Sequence, residues 1–193
     1  MMRLGILGST RGTNLLALLT AREEQQLAAT INLVVSNKPD ALILERAEIH
    51  GIPKQYVNSQ GLSREQYDQK ISDLLRHHEI TLVVLIGYMR ILSAAFVTAW
   101  QQKIINVHPS LLPAFAGKMD LDVHRAVLAA GVKETGCTVH YVTEEVDAGP
   151  IVLQKRCPVF ATDTPETLKQ RVQQLEGDAL IAAINQLSLE NKK

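Results

Sequence analysis

Hydrophobic runs alternate with amphipathic segments over roughly the first 110 residues of the chain. Short runs of apolar residues predict buried strands, and apolar residues three or four apart predict helices. Strands and helices that alternate in this way are typical of a doubly wound α/β sheet. The expected strands span residues 3–7, 31–35, 53–57, 81–86 and 104–107, and the expected helices span residues 14–19, 41–50, 63–78 and 93–100.

The pattern changes after residue 110, where two alternating segments predict a β-hairpin and Pro165 begins a final helix. No repeat, linker or low-complexity segment interrupts the chain, so we expect a single domain over residues 1–193. Residues 190–193 are expected to fray. The expected elements are a loop over 111–123, a helix over 124–130, strands over 135–142 and 150–159, and a last helix whose apolar face contains Leu168, Val172, Leu175, Ala179 and Ala182.

Several residues mark where helices begin and end. Ser63 followed by Gln66 predicts a capping box at the start of the third helix. Gly51 is expected to end the second helix, because glycine readily adopts the left-handed conformation at that position. The first helix is expected to be capped by the side chain of Thr13 or Asn14.

Composition excludes several classes of function. The formal net charge is zero, so no bulk electrostatic attraction draws the chain to nucleic acid or to anionic lipid. Cys137 and Cys157 have neither a metal-binding spacing nor a disulfide framework, which favours a reducing compartment and a cytoplasmic protein. The apolar start is too short for a signal peptide, and no apolar run approaches the ~20 residues that span a bilayer. We therefore expect no metal, nucleic-acid or membrane partner.

Two polar side chains lie within the predicted strand over 104–107 and directly after it. Asn106 and His108 are two positions apart, so on a strand they point to the same face. Pro109 ends the hydrogen-bonded ladder, which places both near the carboxyl end of a strand, where open α/β sheets bind ligands. An amide and an imidazole there are able to stabilise an oxyanion and move a proton. Residues 104–113 alone favour the simpler interpretation, in which Asn106 caps a turn and His108 is a satisfied core histidine.

A small-residue loop over residues 8–13 connects the first strand to the first helix. Such a loop turns backbone N–H groups and a helix N-terminus toward an anion, which favours a phosphate site. A plain strand-to-helix turn is an equally good reading of this segment alone. The glycine spacing is not that of a dinucleotide fingerprint, and no Gly-Lys-Ser/Thr is present. Together with the strand ends at 87–90 and 106–108, the loop is expected to line one crevice.

Taken together, these motifs resemble the folate-dependent formyltransferases, most of all the members that act on glycinamide ribonucleotide. The resemblance covers residues 3 to about 180 and depends on the order of the motifs rather than on any one of them. The matching segments are 12–14, 87–92, 106–113, 138–140, 145–150 and Gln173 with Glu176.

This resemblance implies an open, mostly parallel twisted α/β sheet with helices on both faces, a C-terminal antiparallel strand pair and a long final helix. It also implies formyl transfer from 10-formyltetrahydrofolate, as co-substrate, to the amine of glycinamide ribonucleotide, by a monomer or homodimer. The phosphate-binding half is expected at about 1–100 and the folate-binding and catalytic half at about 101–193. The implied residues are Asn106, His108 and Asp147 for catalysis, with Thr138 and His140 supporting; Gly12, Thr13, Asn14, Arg64, Met89, Pro109, Gln173 and Glu176 for the ribonucleotide; and Arg90, Ile91, Leu92, Val97, Thr143, Glu144 and Val146 for folate.

Two features depart from the family pattern. Thr10 and Arg11 occupy the phosphate loop, and Arg11 is expected either to contact phosphate or to face water. The segment over 117–124 is longer than its counterparts and is expected near the site entrance.

Other functions stay open at this point. A formyltetrahydrofolate hydrolase and a methionyl-tRNA formyltransferase share this core but are expected to carry additional domains. Sugar-nucleotide amine formyltransferases and a non-catalytic ligand-binding module on the same fold remain alternatives.

Overall fold

The computed structural model describes residues 1–190, and residues 191–193, for which fraying was expected, lie outside the described part. A seven-stranded sheet has the strand order β3-β2-β1-β4-β5-β6-β7. The first five strands are parallel, and the last two pair antiparallel. The strands are β1 (Met2–Leu7), β2 (Ala29–Ser36), β3 (Lys54–Tyr56), β4 (Leu82–Leu85), β5 (Ile104–His108), β6 (Glu134–Tyr141) and β7 (Ile151–Pro158).

Within residues 1–190, six helices cover the two faces of the sheet. One hydrophobic cluster joins the sheet to α1, α2, α5 and α6, and a second joins its other face to α3 and α4. The expected fold class is therefore confirmed, including the antiparallel pair and the long last helix. The helices are α1 (Thr13–Glu23), α2 (Leu42–Ile49), α3 (Arg64–His77), α4 (Ala94–Ala99), α5 (Leu121–Ala129) and α6 (Pro165–Glu190).

The chain order of the strands reverses between β1 and β4. From β1 the sheet grows through β2 to β3 on one side, and from β4 it grows through β5 on the other. The chain leaves the carboxyl ends of β1 and β4 toward opposite faces of the sheet, and such a reversal is where open α/β sheets bind ligands.

Local capping signals are mostly confirmed. Ser63 and Gln66 form the expected capping box, and Gly51 has a φ of 65° directly after His50, the C-cap of α2. The expected cap of α1 is wrong. Gly12, in the left-handed conformation with a φ of 67°, precedes the helix, and no side chain caps it. Ile43 packs where a Cβ on Gly12 would lie, so only glycine fits this close approach.

Two further predictions were wrong in detail. Helix α5 begins at Leu121 rather than at residue 124, which shortens the preceding loop. The buried face of α6 turns more than its sequence pattern indicated, so that Ala183 and Ile184 are fully buried whereas Ala182 is only half-buried. This helix packs against α1, α5 and both antiparallel strands. Because α6 has neighbours on several sides, its buried residues are not confined to one narrow apolar stripe.

Candidate active site

Four polar side chains share one face of β5 and β6. The antiparallel register pairs Asn106 with His140 and His108 with Thr138. His108, Thr138 and His140 are each at most 4% exposed. Polar groups buried in this way must find partners, because unpaired polar groups are costly inside a protein.

Asp147 completes the set, although it lies on the loop between β6 and β7. This loop folds back across the face, so that Asp147 Oδ2 lies 3.3 Å from His108 Nδ1 and Asp147 Oδ1 lies 3.6 Å from His140 Nε2. The side chain is only 10% exposed. The backbone of Asp147 has a φ of 56°, a strained conformation for a residue other than glycine, and such strain is concentrated at functional sites. The structure thus brings together the carboxamide, imidazole and carboxylate that the sequence indicated.

The hydrogen bonds fix the tautomer of His140. Its Nδ1 lies 2.9 Å from the carbonyl oxygen of Tyr141, and a carbonyl only accepts, so Nδ1 carries the proton. The other nitrogen, Nε2, is then free to accept from Asn106 Nδ2 at 3.3 Å. His140 therefore orients the amide of Asn106 and leaves that amide a second N–H for a ligand.

Both ring nitrogens of His108 face hydrogen-bond acceptors. Asp147 lies at Nδ1, and the carbonyl oxygen of Phe115 lies 3.3 Å from Nε2. Burial lowers the pKa of His108, while the Asp147 carboxylate and the Phe115 carbonyl oppose that effect. Burial likewise lowers the pKa of His140. The site therefore holds an imidazole whose protonated form is favoured by one carboxylate and one backbone carbonyl.

The hydroxyl of Thr138 forms its hydrogen bonds within the protein. Its hydroxyl donates to the carbonyl of Ser110 at 2.7 Å and accepts from the N–H of Leu112 at 3.0 Å. Gln154 on β7 donates to the same hydroxyl at 2.9 Å and to the carbonyl of Leu112 at 3.0 Å. These bonds hold the chain that follows His108. Sequence reasoning missed Gln154, which the hairpin register alone places beside Thr138.

The loop after β5 also reaches the catalytic groups. The N–H of Gly117 donates to Asp147 Oδ2 at 2.8 Å, and Phe115 supplies the carbonyl that faces His108. Asp120 forms an ion pair with Lys169 on α6. The segment over residues 117–124, which departs from the family pattern, thus begins at the catalytic groups. Sequence reasoning missed the contacts of Phe115 and Gly117, because both use backbone atoms, which every residue type carries.

A second set of polar residues lies at the N-terminal end of α1. Asn14 is buried, and its amide donates to Glu176 Oε2 on α6 at 2.7 Å. Burial raises the pKa of Glu176 to about 7, although the Asn14 hydrogen bond opposes the effect. Gly12 and the exposed Thr13 precede Asn14 and present the first N–H groups of the helix. Gln173 is half-buried on α6, one turn before Glu176.

Most of the remaining predicted residues lie in the loop after β4 and in the loop before Asp147, and the others lie in α3, in α4 and directly after β5. Met89, Ile91 and Val146 are large apolar side chains that are 55% exposed or more. Arg90 instead stacks its guanidinium over the ring of Tyr67 at 4.2 Å. The structure places Thr143 and Glu144 exposed beside Val146, Leu92 and Pro109 half-buried, Val97 buried in α4, and Arg64 exposed at the start of α3.

His124 gives the fold a testable sensitivity to acid. It is 2% exposed on α5, and burial lowers its pKa to about 4, with the Lys169 charge adding to the effect and Asp120 opposing it. The unfolded chain binds this proton near pH 6.5, so stability is lost as pH falls from about 6.5 toward 4. We expect His124→Leu to flatten this part of the curve of urea midpoint against pH, while exposed His77→Leu leaves it unchanged. An equally steep curve in His124→Leu would contradict the assignment.

Within residues 1–190, no cluster of His, Cys, Asp or Glu side chains is placed to hold a metal ion. No helix of the same range is long and apolar enough to cross a membrane.

Comparison with known proteins gives a consistent picture. Residues 2–184 match the family described as formyl transferase. The phosphoribosylglycinamide formyltransferase of Bacillus subtilis (strain 168) is 40% identical over 193 residues, which cover 97% of this chain and 95% of that protein. The crystal structure of glycinamide ribonucleotide transformylase 1 from Symbiobacterium toebii superimposes with a TM-score of 0.93 at 39% identity, covering 98% of this chain and 89% of that one.

A longer relative matches as well. The trifunctional purine biosynthetic protein adenosine-3 of Gallus gallus is 45% identical over 183 residues, which cover 94% of this chain. The chain spans only 18% of the length of that protein.

Proposed function

We propose that this chain, which belongs to the formyl transferase family, transfers the formyl group of 10-formyltetrahydrofolate to the amine of glycinamide ribonucleotide. Membership confirms the family that the sequence motifs indicated. The observation that carries the proposal is the contact of Asp147 with His108 and His140, beside the amide of Asn106. The names of the Bacillus and Symbiobacterium proteins support the choice of acceptor.

Asn106 and His108 stabilise the charge that develops during transfer. When the amine attacks the formyl carbon, the formyl oxygen becomes an oxyanion, and pre-organised donors aimed at it lower the barrier. Asn106 has one N–H committed to His140 and one free for this oxygen. His108 Nε2 supplies the second donor, and the oxygen takes the place of the Phe115 carbonyl that accepts from this nitrogen in the structure.

Asp147 has two tasks in this proposal. Its charge favours the protonated form of His108 against the effect of burial, which strengthens the donor to the oxyanion. It also orders a water that moves the proton from the attacking amine to the nitrogen that leaves. The reaction is a direct transfer, so it requires no nucleophilic side chain. Cys137 is buried and burial raises the pKa of its thiol to about 12, which keeps it inert.

The start of α1 is proposed to hold the ribonucleotide. Residues 12–14 present the first backbone N–H groups of the helix to the phosphate, where the helix dipole also favours negative charge. Glu176 reaches the same place from α6 and is held there by Asn14. With a pKa of about 7, its carboxyl group both accepts and donates hydrogen bonds near neutral pH, which suits ribose hydroxyls.

The folate side is proposed to lie at the exposed apolar side chains. Met89 and Ile91 follow β4 and Val146 precedes Asp147, and exposed apolar groups of this size are typical of a surface that a ligand covers. A flat pterin buries such groups while its formyl end points to His108. The free, buried thiols of Cys137 and Cys157 support the proposal of a cytoplasmic enzyme.

A substrate panel tests the proposal directly. The protein is incubated with 10-formyltetrahydrofolate alone, with glycinamide ribonucleotide, and with a sugar-nucleotide amine, and release of tetrahydrofolate is followed. Release only with glycinamide ribonucleotide supports the proposal. Release without any amine would indicate a hydrolase, release with the sugar nucleotide alone a different acceptor, and no release a binding module.

Arg11 is expected to contribute to ribonucleotide binding alone. Its side chain is exposed directly before Gly12, within reach of a phosphate at the helix N-terminus. Arg11→Ala should raise KM for glycinamide ribonucleotide and leave kcat unchanged, because the phosphate is bound equally in the ground and transition states. Steady-state kinetics measure both constants, with exposed Arg76→Ala as the control. An unchanged KM would remove Arg11 from the site.

A further inference from the structure

Ser9 connects three segments at the crevice between β1 and β4. It follows β1, is 8% exposed, and its backbone N–H donates to the carbonyl of Gly87 at 3.1 Å. Its hydroxyl donates to Asn37 Oδ1 at 2.6 Å and accepts from the N–H of Met89 at 2.9 Å. One small side chain thus bridges the ends of β1, β2 and β4.

The contact between the two loops extends beyond this hydroxyl. Gly87 has a φ of 57°, and Thr10 Oγ1 packs where a Cβ on Gly87 would lie. The carbonyl of Thr10 in turn accepts from the N–H of Ile43 in the first turn of α2. The phosphate loop is therefore packed tightly between the loop after β4 and the start of α2, so a displacement of one loop is transmitted to the other.

Met89 stands where the two proposed substrates meet. The resemblance assigns it to the ribonucleotide, and its exposed side chain also lies among the apolar groups of the proposed folate side. Arg90, Ile91 and Leu92, which follow it directly, are expected to contact folate. Ser9, on the other side of the contact, lies three residues before Gly12 of the phosphate site. The hydroxyl therefore fixes the backbone of the folate segment relative to the phosphate loop.

We propose that Ser9 is a positioning residue whose hydroxyl couples ribonucleotide binding to folate binding, a role that rests on the function proposed above. When phosphate orders residues 12–14, Ser9 is held in place and Met89 with it, so the folate segment loses less freedom when folate then binds. By linkage, folate tightens ribonucleotide binding by the same factor. Couplings of this kind are typically about 5- to 150-fold in affinity.

The coupling is measured in a complex that cannot react. Tetrahydrofolate carries no formyl group, so its Kd is determined by calorimetry with and without saturating glycinamide ribonucleotide. In the unmodified protein we expect the ribonucleotide to lower this Kd at least about 5-fold. In Ser9→Ala the ratio of the tetrahydrofolate Kd without ribonucleotide to that with it is expected to fall close to one, and the Kd for ribonucleotide alone is measured beside it. Asn37→Ala removes only the acceptor that orients the hydroxyl and is expected to give an intermediate ratio.

Ser188 provides a matched control. It is 3% exposed, and its hydroxyl donates to the carbonyl of Ala28 at 2.8 Å, so Ser188→Ala also deletes a buried hydroxyl bond but far from both loops. We expect Ser188→Ala to keep the Kd ratio of the unmodified protein, although it loses about as much thermal stability as Ser9→Ala. A ratio of one in the unmodified protein, or an unchanged ratio in Ser9→Ala and Asn37→Ala, would overturn the inference. Failure of the proposed function is seen separately, as no release of tetrahydrofolate in the substrate panel by a protein that still binds both ligands.

Discussion

Replacing His108 by alanine is expected to lower kcat by ~10²–10³-fold, because it removes one of two donors to the formyl oxygen. The effect should fall on kcat rather than on KM, since this hydrogen bond strengthens only as charge develops. Single-turnover kinetics with saturating glycinamide ribonucleotide and 10-formyltetrahydrofolate measure the chemical step directly. Asn106→Ala is expected to lose activity on the same scale through the other donor.

Two controls separate this role from damage to the fold. His108 is 4% exposed, so its loss leaves a cavity and costs stability, and the thermal transition must show that the variant is folded at the assay temperature. Titration with glycinamide ribonucleotide and tetrahydrofolate must show that both still bind. A folded variant that binds both ligands and turns over at near-normal rate would contradict the assignment of His108.

Replacing Asp147 by asparagine is expected to lower kcat at neutral pH by about 10²-fold or more. Burial lowers the pKa of His108, and the Asp147 carboxylate is the largest opposing influence. Without that charge the pKa of His108 falls further, so a smaller fraction of the imidazole is protonated at any given pH. The alkaline limb of the pH profile of kcat should therefore move to lower pH, and part of the lost activity should return as pH is lowered.

Asp163→Asn is the matched control for the loss of a buried carboxylate. Asp163 is 3% exposed in its side chain and pairs with Arg171 at 2.7 Å, and this ion pair holds the pKa of Asp163 below its usual range. The variant should lose stability but keep the shape and position of the pH profile of kcat. If Asp147→Asn keeps the unmodified profile and near-normal turnover, Asp147 neither stabilises the protonated form of His108 nor moves a proton.

The fold could be predicted from the sequence because its signals are local and periodic. Apolar runs such as residues 82–85 are buried on both faces of a parallel sheet, and the alternation of strand and helix leaves few topologies. The capping box at Ser63 depends on residues three positions apart, so it was predicted correctly. The cap of α1 was not, because Asn14 takes a partner 162 positions away instead of capping its own helix.

The candidate site was predictable only in part. Asn106 and His108 could be identified because they are polar residues on an apolar strand, and Asp147 was identified from the family resemblance. Three contributions had no signal in the sequence: the carbonyl of Phe115 at His108, the N–H of Gly117 at Asp147, and the hydroxyl of Ser9 at Met89. Each uses a backbone atom or a common side chain whose partner is set by packing.

The sequence by itself determined the strands, the helices and the face on which Asn106 and His108 lie, because these depend on residue type at short spacings. It also indicated the family, because the motifs follow one another in the family's order along the chain. Only the tertiary structure decided how close the Asp147 carboxylate lies to the imidazole of His108, which tautomer His140 adopts, and how Ser9 joins two loops. Those properties depend on distances of about 3 Å between residues far apart in the chain, and hydrogen bonds weaken steeply when such distances change.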